Sequence, residues 1–115
     1  MNELCFYAER PIHKTIEELF LGFKIHNISK EVIKKNNFIN KNILLVLTER
    51  LPKDLGKSFF LKNNVVIVFS KQTSLNKNEY SNTRIFSGQT NRNKFKDEVI
   101  TFYASKSYTY QDIKI

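Results

Sequence analysis

Tryptophan is absent from the 115 residues, and cysteine (one), proline (two) and glycine (three) are scarce. Each shortage removes a class of protein. With so few glycines and prolines, the chain cannot be a loop-rich or repeat architecture. A single cysteine, Cys5, cannot close an internal disulfide, and its place in an apolar run marks it as a buried small hydrophobe. Its free state fits a reducing cytoplasm. No apolar stretch approaches the length of a membrane span. The first residues lack the basic start and long apolar core of a signal peptide. Neither common glycine-rich phosphate loop is present. His13 and His26 stand apart with no metal-ligand spacing around them, so no metal and no cofactor are expected.

What is abundant is lysine and asparagine. The formal net charge is +8 and the pI about 9.6. A balance this basic raises nucleic acid or a membrane surface as partners. Yet the lysines are spread along the chain among asparagines, and there is no arginine-rich run. The densest clusters are Lys34-Lys35 and the set Arg92, Lys94 and Lys96. Glu17-Glu18 reads as solvated helix charge.

The clearest signal is Ile43 to Leu47, a short uncharged run that stops at Thr48 before a Pro52/Gly56 turn. Such a run, bounded by turn residues, predicts a strand buried on both faces of a parallel sheet. Val65 to Phe69, stopping at Ser70, predicts a second. Leu4 to Ala8 predicts the first strand, and Lys24 to Ile28 and Arg84 to Ser87 predict two more. Between them lie helical patterns. Pro11 suits a first helical turn, followed by Ile12, Ile16, Leu19, Phe20 and Phe23 at helical spacing, with Gly22 and Lys24 at the stop. Ser29 suits the cap of a short helix from Lys30 to Lys35. Pro52 to Lys62 predicts a helix through Leu55, Phe59 and Phe60. Lys71 to Asn82 is polar and reads as a loop. Asn91 or Asn93 suits the cap of a last helix bearing Phe95, Val99, Phe102 and Tyr103. Tyr108, Tyr110, Ile113 and Ile115 alternate, predicting an extra strand or the start of a following unit.

Strands alternating with helices predict right-handed crossovers and a parallel sheet covered on both faces. The expected fold is α/β: a flavodoxin-like three-layer sandwich with a five-stranded parallel sheet and a fourth helix short or missing. One domain is expected over residues 1–105. Residues 106–115 are expected to be a linker or the start of a further domain, so the chain reads as the amino-terminal part of a longer regulator.

Laid out this way, residues 3–105 resemble a response-regulator receiver domain. Thr48, Leu51, Pro52 and Gly56 match the spacing that follows the third strand of receivers, with threonine where they carry the phosphoacceptor aspartate. Ser70 falls at the hydroxyl position ending the fourth strand. Ala8 and Glu9 fall at the acidic pair after the first strand. Gly88 stands where the lysine of the fifth strand is expected, and Ile85 at the aromatic switch position. An aspartyl-phosphate site needs a carboxylate nucleophile, carboxylates to hold Mg²⁺, and a cation and hydroxyl on the phosphoryl oxygens. The resemblance therefore implies the fold together with a degenerate pocket, Ala8, Glu9, Thr48, Ser70 and Gly88, that has lost the chemistry.

The function expected is that of a phosphorylation-independent pseudo-receiver. It would be a regulatory and dimerisation module of a cytoplasmic transcriptional response regulator of the OmpR/PhoB class, in a two-component signal-transduction system. On that reading the chain is not an enzyme. It forms a homodimer, reaches DNA only through a following carboxyl-terminal domain, and takes neither a membrane nor a small-molecule substrate. The alternative is a small basic nucleic-acid-binding protein. A flavodoxin-like enzyme ranks third, because the crevice lacks paired acid and base residues.

Overall fold

The computed structural model describes residues 3–34, 38–51, 55, 57–71, 82–87 and 91–114. Five strands are formed: β1 (Glu3–Ala8), β2 (Lys24–Asn27), β3 (Asn42–Leu47), β4 (Asn64–Phe69) and β5 (Thr83–Ser87). Among the described residues four helices accompany them: α1 (His13–Leu19), α2 (Lys30–Lys34), α3 (Lys57–Lys62) and α4 (Arg92–Lys114). All strand pairs are parallel, in the order β2-β1-β3-β4-β5. This is the flavodoxin-like arrangement, in which the chain reverses its direction of travel across the sheet between β1 and β3.

Alternation along each strand divides the core in two. Leu4, Phe6, Leu44, Val46 and Val66 meet Ile16 and Phe20 of the α1 region and Phe95, Val99 and Tyr103 of α4. On the other face Cys5, Ile43, Leu45, Leu47, Val65, Ile67 and Phe69 meet Ile33 of α2 and Phe59 and Phe60 of α3. The three layers follow from strands that are apolar on both sides. Cys5 is buried, and that burial pushes its thiol pKa up, so it serves as a packing residue.

The helix ends are partly set by polar side chains. Ser29 Oγ accepts from the Val32 amide at 3.2 Å, and Asn91 Oδ1 from the Asn93 and Lys94 amides at 3.0 and 3.1 Å. At the amino edge of the sheet, asparagine does the joining. Buried Asn63 accepts from the Lys41 amide at 3.1 Å and donates to the Phe38 and Phe59 carbonyls, each at 2.9 Å. Asn82 donates to the Leu61 carbonyl at 3.2 Å. Asn40 takes the left-handed conformation, φ 55°, and its amide reaches the Lys62 carbonyl at 2.7 Å.

Four boundaries differ from the sequence reading. Pro11 precedes the cap of α1, Ile12, and is not in the first turn. That helix ends at Leu19, with Gly22 at φ +94° turning the chain into β2. Phe20 and Phe23 nevertheless reach the same core, their rings 5.6 Å apart. The third helix is formed over Lys57–Lys62, and half-buried Leu55 is not helical; residues 52–54 and Gly56 lie outside the described residues. The largest correction concerns Tyr108 to Ile115. Helix α4 runs on to Lys114, so no strand forms there. With no glycine or proline after Arg92, extending an existing helix adds a hydrogen bond per residue without a new nucleus. A strand would need a turn first. The expected short or missing helix between β4 and β5 falls on residues 72–81, outside the described residues.

Candidate functional site

In a sheet of this order, ligands approach outside the carboxyl ends of the strands at the point of reversal. That point lies between β1, which ends at Ala8, and β3, which ends at Leu47; Ala8 pairs with Val46. The ladder continues one step beyond the strands. The Glu9 amide donates to the Val46 carbonyl, and the Ser70 amide to the Leu47 carbonyl, both at 2.9 Å. Glu9, Thr48 and Ser70 are thereby held on adjacent strand ends.

The side chains of Glu9 and Ser70 turn inward on the backbone of Thr48. The Glu9 carboxylate accepts from the Thr48 amide at 2.8 Å. The Ser70 hydroxyl donates to the Thr48 carbonyl at 3.4 Å, and the Lys71 amide to the same oxygen at 3.1 Å. Glu9 and Lys71 are exposed, while Thr48 and Ser70 are half-buried. The crevice therefore brings the Glu9 carboxylate and the Ser70 hydroxyl onto the backbone of Thr48. A hydroxyl nucleophile needs a neighbouring base. His13, the histidine nearer to Glu9 in sequence, stacks edge-on to Phe6 with centroids 5.0 Å apart.

Of the residues singled out by sequence, the structure assembles Glu9, Thr48 and Ser70. Ala8 packs downward on the α1/α4 core. Ile85 packs on the opposite core with α2 and α3. Gly88 lies outside the described residues. His26 is exposed, with Nε2 3.7 Å from Glu3 at the far end of β1. Among the described residues, no three His, Cys, Asp or Glu side chains converge as a metal site. No helix among them is long and apolar enough to cross a membrane.

Two features were not legible in the sequence. Tyr103 donates its phenol to the Ile43 carbonyl at 2.6 Å, tying α4 to the start of β3. Burial, and secondarily Cys5, push that phenol well above the usual tyrosine range. The second is a groove of about 420 Å³ beside edge strand β5, lined by Arg84, Asp97, Glu98, Thr101, Phe102 and Ser105. Arg84 lies 5.0 Å over the Phe86 ring and 3.5 Å from Glu98. The only hint of it in sequence is the run Lys96-Asp97-Glu98 on an otherwise amphipathic helix. The chain matches no protein-family model, no curated protein and no solved structure.

Proposed function

We propose that this chain is a phosphorylation-independent pseudo-receiver, a regulatory and dimerisation module of a transcriptional response regulator. The observation that supports it most directly is the use made of Glu9. The carboxylate at the receiver-like acidic position is hydrogen-bonded to the amide of Thr48, the residue at the phosphoacceptor position. A carboxylate committed to a backbone amide holds the crevice together, whereas a phosphoacceptor site leaves its carboxylates open to a cation. The sheet order is that of receivers, and α4 with β5 offers a face for self-association. Opposite charges on that face, Arg84 beside Asp97 and Glu98, can pair across a two-fold axis.

The test is incubation of the chain with a small phosphodonor and Mg²⁺, followed by intact mass. The natural chain should keep its mass. Thr48→Asp should also remain unmodified, because Ala8 and Gly88 still lack the second carboxylate and the lysine. Loss of a single positioned electrostatic group typically costs about a hundredfold or more in rate, and groups that form one site fail together. A phosphate adduct on the natural chain would overturn the proposal.

A further inference from the structure

The charge of this chain is not arranged as its composition suggests. Arg10 follows β1, Arg50 follows β3 and Lys71 follows β4. Lys14, Lys57 and Arg92 lie in the opening turns of α1, α3 and α4, which begin at that same edge. All six are exposed. Against them, among the described residues, stand exposed Glu9, already bonded to the Thr48 amide, exposed Glu49, and Glu31 in the first turn of α2, beside Lys30. The first turns of α1, α3 and α4 contain no acidic residue. That is the reverse of what helix stability favours, since the start of a helix attracts negative charge. Long α4 is the clearest case, with Arg92 and Lys94 in its opening turn.

Neighbouring strands are about 4.8 Å apart, so the ends of β1, β3 and β4 fall within about 10 Å. This is about one screening length at 0.1 M salt, so cations following these strands act jointly on a partner. We infer that the carboxyl edge of the sheet is a docking surface for nucleic acid, engaging its phosphate backbone without reading sequence. A membrane surface fits less well. Peripheral membrane binding joins cations to inserting apolar groups. Of the exposed large hydrophobics among the described residues, Leu21, Ile39 and Leu61 lie at the amino edge, beside the starts of β2, β3 and β4, and Val32 alone, the least exposed of the four, lies toward the carboxyl edge in α2. This surface is independent of the pseudo-receiver proposal, and it departs from the expectation that DNA is reached only through a following domain.

The experiment is fluorescence anisotropy of a labelled random-sequence duplex with the full chain, over a range of salt. Two variants carry the same change in net charge. One is Arg10→Glu with Arg50→Glu and Lys71→Glu at the carboxyl edge. The other is Lys24→Glu with Lys41→Glu and Lys62→Glu at the amino edge. Far-ultraviolet circular dichroism checks that both are folded, as exposed substitutions should be. The natural chain should bind with roughly 10 µM affinity or better at low salt, weakening linearly on a log–log salt plot. The carboxyl-edge variant should bind at least about tenfold more weakly, its salt slope shallower by about three. The amino-edge variant should stay close to the natural chain. Equal losses in both variants would reduce the effect to net charge and overturn the inference. So would the absence of duplex binding at low salt, including the case in which vesicles rich in phosphatidylserine are bound instead.

Discussion

At Tyr103 the protein buries a phenol and gives it one partner, the Ile43 carbonyl at 2.6 Å. Removing the hydroxyl leaves that carbonyl short of its donor, which costs about 1–2 kcal/mol. Tyr103→Phe should therefore lower the urea midpoint without changing the slope. The same residue sets a pH dependence. Its pKa is raised in the folded state, so the neutral phenol contributes its full stability below the unfolded value near 10. That contribution is lost as pH rises above this value toward the folded pKa, because the unfolded chain then releases a proton that the folded chain keeps. The natural chain should lose stability more steeply above pH 10 than Tyr103→Phe. Parallel curves for the two proteins would contradict the assignment. Glu9, Thr48 and Ser70 could be picked from the sequence because each ends or follows a strand. That they would bond to one another's backbone could not, since Glu9 and Thr48 are 39 positions apart.

Among the elements, α3 is short and depends on its end. Asn63 satisfies the Phe59 carbonyl at that end and clamps the Phe38–Lys41 segment with two further bonds. Asn63→Ala would strand three buried or half-buried backbone groups. A loss of about 3 kcal/mol is expected, read as a drop in thermal midpoint of roughly 10–20 °C for a domain of this size. Asparagine looked like loop punctuation in the sequence; two of the three partners of Asn63, in the Phe38–Lys41 segment, come only from the approach of a stretch far away in the chain, while Phe59 is a local, one-turn partner. Helix α4 makes the opposite case. Among the side chains of α4 that are described, the buried ones are Phe95, Val99 and Tyr103, and Tyr103 already reaches the beginning of β3. A chain ending at Ser105 should therefore keep a cooperative melt within a few degrees of the full chain. A noncooperative melt would mean that residues 106–115 belong to the domain fold.

For the molecule as a whole, two faces have separate expected roles. The β5/α4 face carries Arg84, Asp97 and Glu98, and the proposed dimer would bring each charge against its opposite on the second copy. Sedimentation velocity at high micromolar concentration should show dimer, and Arg84→Glu should shift it to monomer because the like charges then face one another. Monomer alone for the natural chain would rule out self-association by this chain. The carboxyl edge is reserved for the phosphate backbone, so the Arg10, Arg50 and Lys71 substitutions should leave the dimer intact.

Much of the fold was legible from the chain alone, because a strand buried on both faces leaves an unbroken apolar run. Ile43 to Leu47 and Val65 to Phe69 announced such strands, and the alternation of strand and helix then implied a parallel, doubly covered sheet. Local chemistry also marked the cap at Ser29 and narrowed that of the last helix to Asn91 or Asn93, of which Asn91 serves. Other features are products of tertiary structure. Tyr108 to Ile115 has a strand-like period, yet with no turn before it the helix simply continues. Thr48 and Glu9 become a pair only when β3 lies beside β1. Lysines and arginines that looked evenly scattered along the chain include six, Arg10, Lys14, Arg50, Lys57, Lys71 and Arg92, that share the carboxyl edge, because parallel strands end there and the intervening helices begin there. A linear sequence records the spacing of residues along the chain; their sharing of one edge depends on strand order and direction, and so on how the entire core packs.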